Sequence, residues 1–111
     1  MRAWTSTPTG MPSNCAFKAS SAIATRRIDT DRVRVTEYKF PPGSHTGWHR
    51  HEWDYVVVPI EGGPLRAASA DGERTMMLTQ GQPYSRPAGV EHDVINDGPG
   101  QVVFIEVELK D

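Results

Sequence analysis

Apolar and polar residues alternate in short runs along most of this chain. The run "RVRVTEYKF" (32–40) alternates with period two, and it is rich in β-branched and aromatic residues. Similar runs are "PLRAASA" (64–70), "ERTMMLTQ" (73–80), "EHDVIN" (91–96) and "VVFIEVEL" (102–109). "DYVVVPI" (54–60) is almost continuously apolar and reads as a buried strand. Turn-forming residues separate these runs at Pro41-Pro42-Gly43, Gly62-Gly63-Pro64, Gly81-Gln82-Pro83 and Asp97-Gly98-Pro99-Gly100. Asp71-Gly72 is a hairpin signal between two of them. No apolar pattern keeps a 3.6-residue period long enough to predict a helix. The expectation is an all-β antiparallel barrel or jelly roll of about six to eight strands.

The N-terminus differs from the rest. "TSTPTGMPSN" (5–14) is polar and turn-forming, so residues 1–20 read as an irregular segment and 21–111 as a single domain. The length of 111 residues fits one core. Charged residues make up 23% of the chain, an ordinary share for a soluble domain. A net charge of -2, with Lys and Arg scattered, gives no basis for a nucleic-acid partner. No apolar run is long enough to span a bilayer, and no signal-peptide pattern opens the chain. Cys15 is the single cysteine, which makes a reduced thiol in a cytoplasmic protein the expectation.

Chemistry concentrates in "GWHRHEWDYVVVP" (47–59). Side chains alternate across a strand, so His49 and His51 project to one side. Two imidazoles at this spacing can converge on one metal ion, although two surface histidines produce the same pattern. His92, at the end of "RPAGVEH", is a third candidate.

These residues fall in a definite order. Five residues separate Gly43 from His49, one separates His49 from His51, three lead to Tyr55 and six to Gly62. Then five separate Gly81 from Pro87, one leads to Gly89, two to His92 and three to Asn96. The order resembles the two motifs of the cupin superfamily, and the second, "GQPYSRPAGVEHDVIN", matches at every fixed position. The likeness spans about 32–109. It implies a cupin-type β-barrel, with His92 delivered into the interior by the corner at Pro87 and Gly89.

The resemblance also implies a ligand set, with one departure. Tyr55 stands where most cupins have a glutamate ligand. Asp54 is one residue early and faces away on a regular strand, unless a bulge turns it inward. The expected site is therefore three neutral histidines, His49, His51 and His92, holding one divalent metal ion. Tyr55 is either a cavity wall or plain core. Trp53 shares the parity of His51 and is expected in the cavity. His45 is expected at the rim, and Arg86 either reaches an anionic ligand or is solvated. Met76, Met77 and Leu78 are expected to pack the sheet.

Three neutral ligands leave the ion's charge unbalanced, which favours a small chelating anion such as the enolate of a β-diketone or a 3-oxo acid. The chain resembles small single-domain cupins, some associated with β-alanine degradation, and also three-histidine acetylacetone-cleaving dioxygenases. The resemblance implies a non-haem dioxygenase using Fe2+; Zn2+, Ni2+ and Mn2+ suit other chemistries of the same site. The alternative is a non-catalytic cupin that binds a metabolite as sensor or carrier. A homodimer is expected, with a strand near residues 22–28 adding to the partner's sheet.

Overall fold

The structure is a computed structural model that describes residues 20–110. The segment read as irregular, apart from Ser20, lies outside the described residues, as does Cys15. The described chain is all-β. In order, the strands are β1 (Ser20–Ser21), β2 (Ile23–Asp29), β3 (Val33–Phe40), β4 (Ser44–His45), β5 (His49–Arg50), β6 (Asp54–Glu61), β7 (Gly63–Ser69), β8 (Gly72–Leu78), β9 (Tyr84–Arg86), β10 (Glu91–Ile95) and β11 (Val102–Leu109). No helix of the described residues is long and apolar enough to cross a membrane.

Two sheets face each other. One runs β2-β3-β11-β6-β9; the other runs β1-β4-β10-β7-β8, with β5 also paired to β10. Pairing is antiparallel except for the short β1–β4 bridge, which includes Ser20. This is the jelly-roll barrel that the short alternating runs predict. The strand total exceeds the expected six to eight because four pieces of two or three residues, β1, β4, β5 and β9, are too short to show a period in sequence.

Period-two alternation fills the space between the sheets. Phe40, Tyr55, Val57, Leu65, Leu78, Val94, Val102 and Phe104 form the core. Phe40 and Phe104 pack with ring centroids 5.6 Å apart, and Tyr38 lies 5.4 Å from Phe104. Asn96 is fully buried and satisfied: its amide donates to the Phe40 and Gly100 carbonyls and its oxygen accepts from the Gly98 amide. At Gly62 a side chain would sit 2.5 Å from the Leu78 carbonyl oxygen, so only glycine lets these backbones approach.

Two expectations are corrected. Met77 is 67% exposed, because it alternates with inward Met76 and Leu78. The hairpin also shifts by one residue: Ala70 and Asp71 form the turn, and Gly72, at φ 116°, already pairs with Ser69. The strand expected to add to a partner's sheet, β2, stands at the edge of its own sheet, paired on one side with β3 from Ile23↔Lys39 to Asp29↔Arg34.

Candidate metal centre

Strand pairing brings the histidines together. His49 on β5 lies directly opposite His92 on β10, so both side chains share a face. His51 is tied to the same ladder: its amide donates to the Val90 carbonyl, and its carbonyl accepts from the Gly89 amide. Gly89 holds a positive φ of 98° at the corner that leads into β10.

The three ring Nε2 atoms converge. Those of His49 and His51 are 3.1 Å apart, and those of His51 and His92 are 3.3 Å apart. Nitrogen ligands about 2.0–2.2 Å from one ion, at octahedral to tetrahedral angles, lie about 2.8–3.6 Å apart. The spacing therefore fits a shared metal ion. The rings meet edge to face at 67–87°.

Protonation points the same way. His49 Nδ1 lies 2.8 Å from the Gly47 carbonyl oxygen, a contact that places the proton on Nδ1 and leaves the Nε2 lone pair facing the centre. Burial lowers the pKa of all three rings. The neighbouring histidines and Arg86 add to it at His51, which falls to about 4, and at His92, which falls to about 3, while the Gly47 carbonyl and Asp93 oppose it at His49. Three neutral rings with converging nitrogens form a cation-ready donor set.

The support around His49 was not visible in the sequence. The Asp93 carboxylate accepts from the Gly47 amide at 2.9 Å and lies 3.0 Å from His45 Nδ1. Gly47 in turn orients His49. His45 is thus a buried partner of Asp93 rather than a rim residue. Thr46 Oγ1 accepts from the Val94 amide and lies 3.3 Å from His49 Nδ1, which fixes the same loop from its other side.

The other predicted residues separate. Tyr55 stacks on His51 with centroids 3.9 Å apart at 17°, so its ring is a wall of the site. Arg86 lines the cavity beside it. Trp53 does not line it: the chain bends between β5 and β6, parity is lost there, and the indole lies against Arg34 and Lys110 at 5.1 and 5.6 Å. Asp54 points away from the histidines and accepts from the Ala88 amide at 2.8 Å.

Sequence reasoning missed Glu106. It lines the cavity with His49, His92, Tyr38, Tyr55 and Tyr84, and its Oε2 is 4.0 Å from His51 Nδ1. Burial, reinforced by Glu108, raises its pKa to about 8. The signal was present: Glu106 shares the parity of the inward Phe104 within an apolar run.

Comparison with known proteins agrees with this architecture. The Cupin domain model matches residues 36–108. The "Beta-alanine degradation protein BauB" of Pseudomonas aeruginosa is 49% identical over 89 residues, covering 80% of this chain and 94% of the relative. A cupin domain from Bordetella pertussis is 53% identical, with a TM-score of 0.83, covering 86% of this chain and 99% of that one. A cupin superfamily protein from Desulfitobacterium hafniense shares the fold at 17% identity, with a TM-score of 0.65 and coverage of 95% and 92%.

Proposed function

This chain belongs to the cupin family, and we propose that it is a metal-dependent enzyme of small oxo-acid metabolism, a non-haem dioxygenase acting on a chelating anion. The observation that carries the reading is the convergence of the His49, His51 and His92 Nε2 atoms at ligand spacing. The Pseudomonas relative is named for β-alanine degradation, which supports a role in small-metabolite chemistry. When bound, a divalent ion supplies Lewis acidity and, as Fe2+, redox chemistry with dioxygen.

The chain's own residues do the rest. Neutral His49, His51 and His92 leave the charge of a dication unbalanced, so the site favours an anion. Tyr55, Tyr84, Val57, Met76 and Phe104 wall the cavity and exclude water that would screen that charge. Burial favours the protonated form of Glu106 in the metal-free protein, and its Oε2 stands 4.0 Å from His51 Nδ1 as an acceptor facing the ring N–H.

The test has two stages. Elemental analysis of untagged protein, purified without added metal, should find one divalent ion per chain. Fe2+-loaded protein should then consume oxygen with 3-oxo acids or β-diketones. Ligand binding without oxygen uptake across that panel would replace the enzyme with a metabolite-binding cupin.

A further inference from the structure

The inward face of β9 holds a charge that the three histidines do not explain. On the β6–β9 ladder, Arg86 pairs with Tyr55 and Tyr84 pairs with Val57. Cross-strand partners share a face, and Tyr55 and Val57 are both buried in the interior. Arg86 is therefore directed inward, while Ser85 between them is exposed.

Arg86 occupies a junction. It lines the cavity with His49, His92 and Glu106. It also lines an open groove with Arg50, Arg74, Glu91 and His92. His92 and Arg86 are shared by both spaces, so a ligand reaching the histidines from the groove passes the guanidinium.

Its burial and lack of an ion pair together set it apart; Arg74, in the same groove, also forms no ion pair among the described residues but is exposed. Arg50 is bridged to Glu91 at 3.5 Å, and Arg66 to Asp97 at 2.6 Å. The Arg86 side chain forms no ion pair or hydrogen bond among the described residues. A half-buried guanidinium beside three neutral imidazoles is costly unless an anion joins it. Its planar fork holds N–H donors in a geometry suited to a carboxylate.

We infer that Arg86 is the anion-recognition residue of this site and selects a small oxo acid, whose carboxylate it binds, over a β-diketone of similar size. The inference rests on the chelation reading above and narrows it. One carboxylate oxygen pairs with the Arg86 guanidinium, and the other faces the three histidine nitrogens with the oxo group as the chelating pair. A β-diketone offers a chelating pair but no carboxylate for Arg86.

The probes are acetoacetate and acetylacetone, which present similar carbon skeletons with and without a carboxylate. Calorimetry on metal-loaded wild type and Arg86→Gln protein measures both, with metal content and melting temperature checked in each. The expected result is a loss of about 10- to 100-fold in acetoacetate affinity in Arg86→Gln, with acetylacetone affinity unchanged. Arg86→Lys should recover part of the loss and Arg86→Gln should keep one metal per chain. Equal losses for both probes, or none for acetoacetate, would overturn the assignment to Arg86 and leave chelation standing. Binding of both probes that is unaffected by removing the metal would instead sink the chelation reading. In that case a loss confined to acetoacetate in metal-free Arg86→Gln would still uphold Arg86.

Discussion

The two ends of the barrel interior are built from the same strands and carry opposite chemistry. At one end, Phe40 on β3 lies beside Val102 on β11, with Pro59, Leu65 and the satisfied Asn96 fully buried nearby. Four residues further along the same ladder, Thr36 lies beside Glu106, and Glu106 faces Val57 near the histidines. At the rise of a strand that is about 13 Å. The first end is close-packed and apolar; the second buries three imidazoles, an acid and three tyrosines around a cavity. Inward parity alone fixes that a side chain is buried. Which end it occupies decides whether burial stabilises the fold or tunes a functional group.

The largest effects should separate the ends cleanly. His92→Ala removes one of three converging nitrogens, and metal content should fall from one ion per chain to nearly none, well beyond the ~10- to 100-fold cost of losing an outer partner. The metal-free barrel should keep its unfolding free energy within about 1 kcal/mol, since His92 contributes little to the apolar core. Phe40→Ala should do the reverse. It should lower stability by about 3–5 kcal/mol, read from the urea midpoint at constant slope, while folded protein still binds one metal. If Phe40→Ala stripped metal from folded protein, the two ends would not be independent.

The sequence shows one end more clearly than the other. Alternation in 32–40 and 102–109 located β3 and β11 almost to the residue, because both strands are long enough to carry a period. The metal ligands were legible as a spacing, since His49 and His51 share parity and His92 closes a motif. Their supports were not. The Asp93–Gly47–His49 chain joins residues 46 positions apart through a backbone amide, and backbone donors carry no residue signature. Trp53 was misplaced because parity fails across the bend after His51. Glu106 was readable by parity with Phe104, but an acid in an apolar strand does not announce its partner.

Glu106 should give the two ends different pH responses. Its folded pKa of about 8 stands above the 4.5 of a free glutamate, so the folded metal-free protein holds more protons than the unfolded chain between those values. Stability should then fall as pH rises from 4.5 to 8. His51 and His92 act oppositely: with folded values near 4 and 3 against 6.5, they weaken the fold as pH falls below 6.5. Glu106→Gln should remove most of the alkaline limb, stabilising metal-free protein at pH 8 by about 2–4 kcal/mol and leaving the acidic limb in place. Denaturation at pH 5 and pH 8 measures it. An unchanged alkaline slope in Glu106→Gln would place the burden on Glu108, whose pKa burial also raises.

The smallest effect should come from Asp54, the acid that stands beside the motif and serves the corner instead. Its Oδ1 accepts from the Ala88 amide at 2.8 Å, between Pro87 and Gly89, while its side chain is exposed. The corner has two other ties, the Gly89 amide to the His51 carbonyl at 2.8 Å and the His51 amide to the Val90 carbonyl at 2.9 Å. Both attach directly to a histidine backbone, and neither involves Asp54. Asp54→Ala should therefore cost about 1 kcal/mol of stability, the worth of one hydrogen bond near solvent. Metal affinity should drop less than 10-fold, because His51 and His92 keep the ties that place them. Titrating the metal into metal-free wild type and Asp54→Ala protein compares them directly. A loss of metal as complete as in His92→Ala would mean that this carboxylate turns inward to the ion when metal binds, and the corner would then belong to the site rather than to its scaffold.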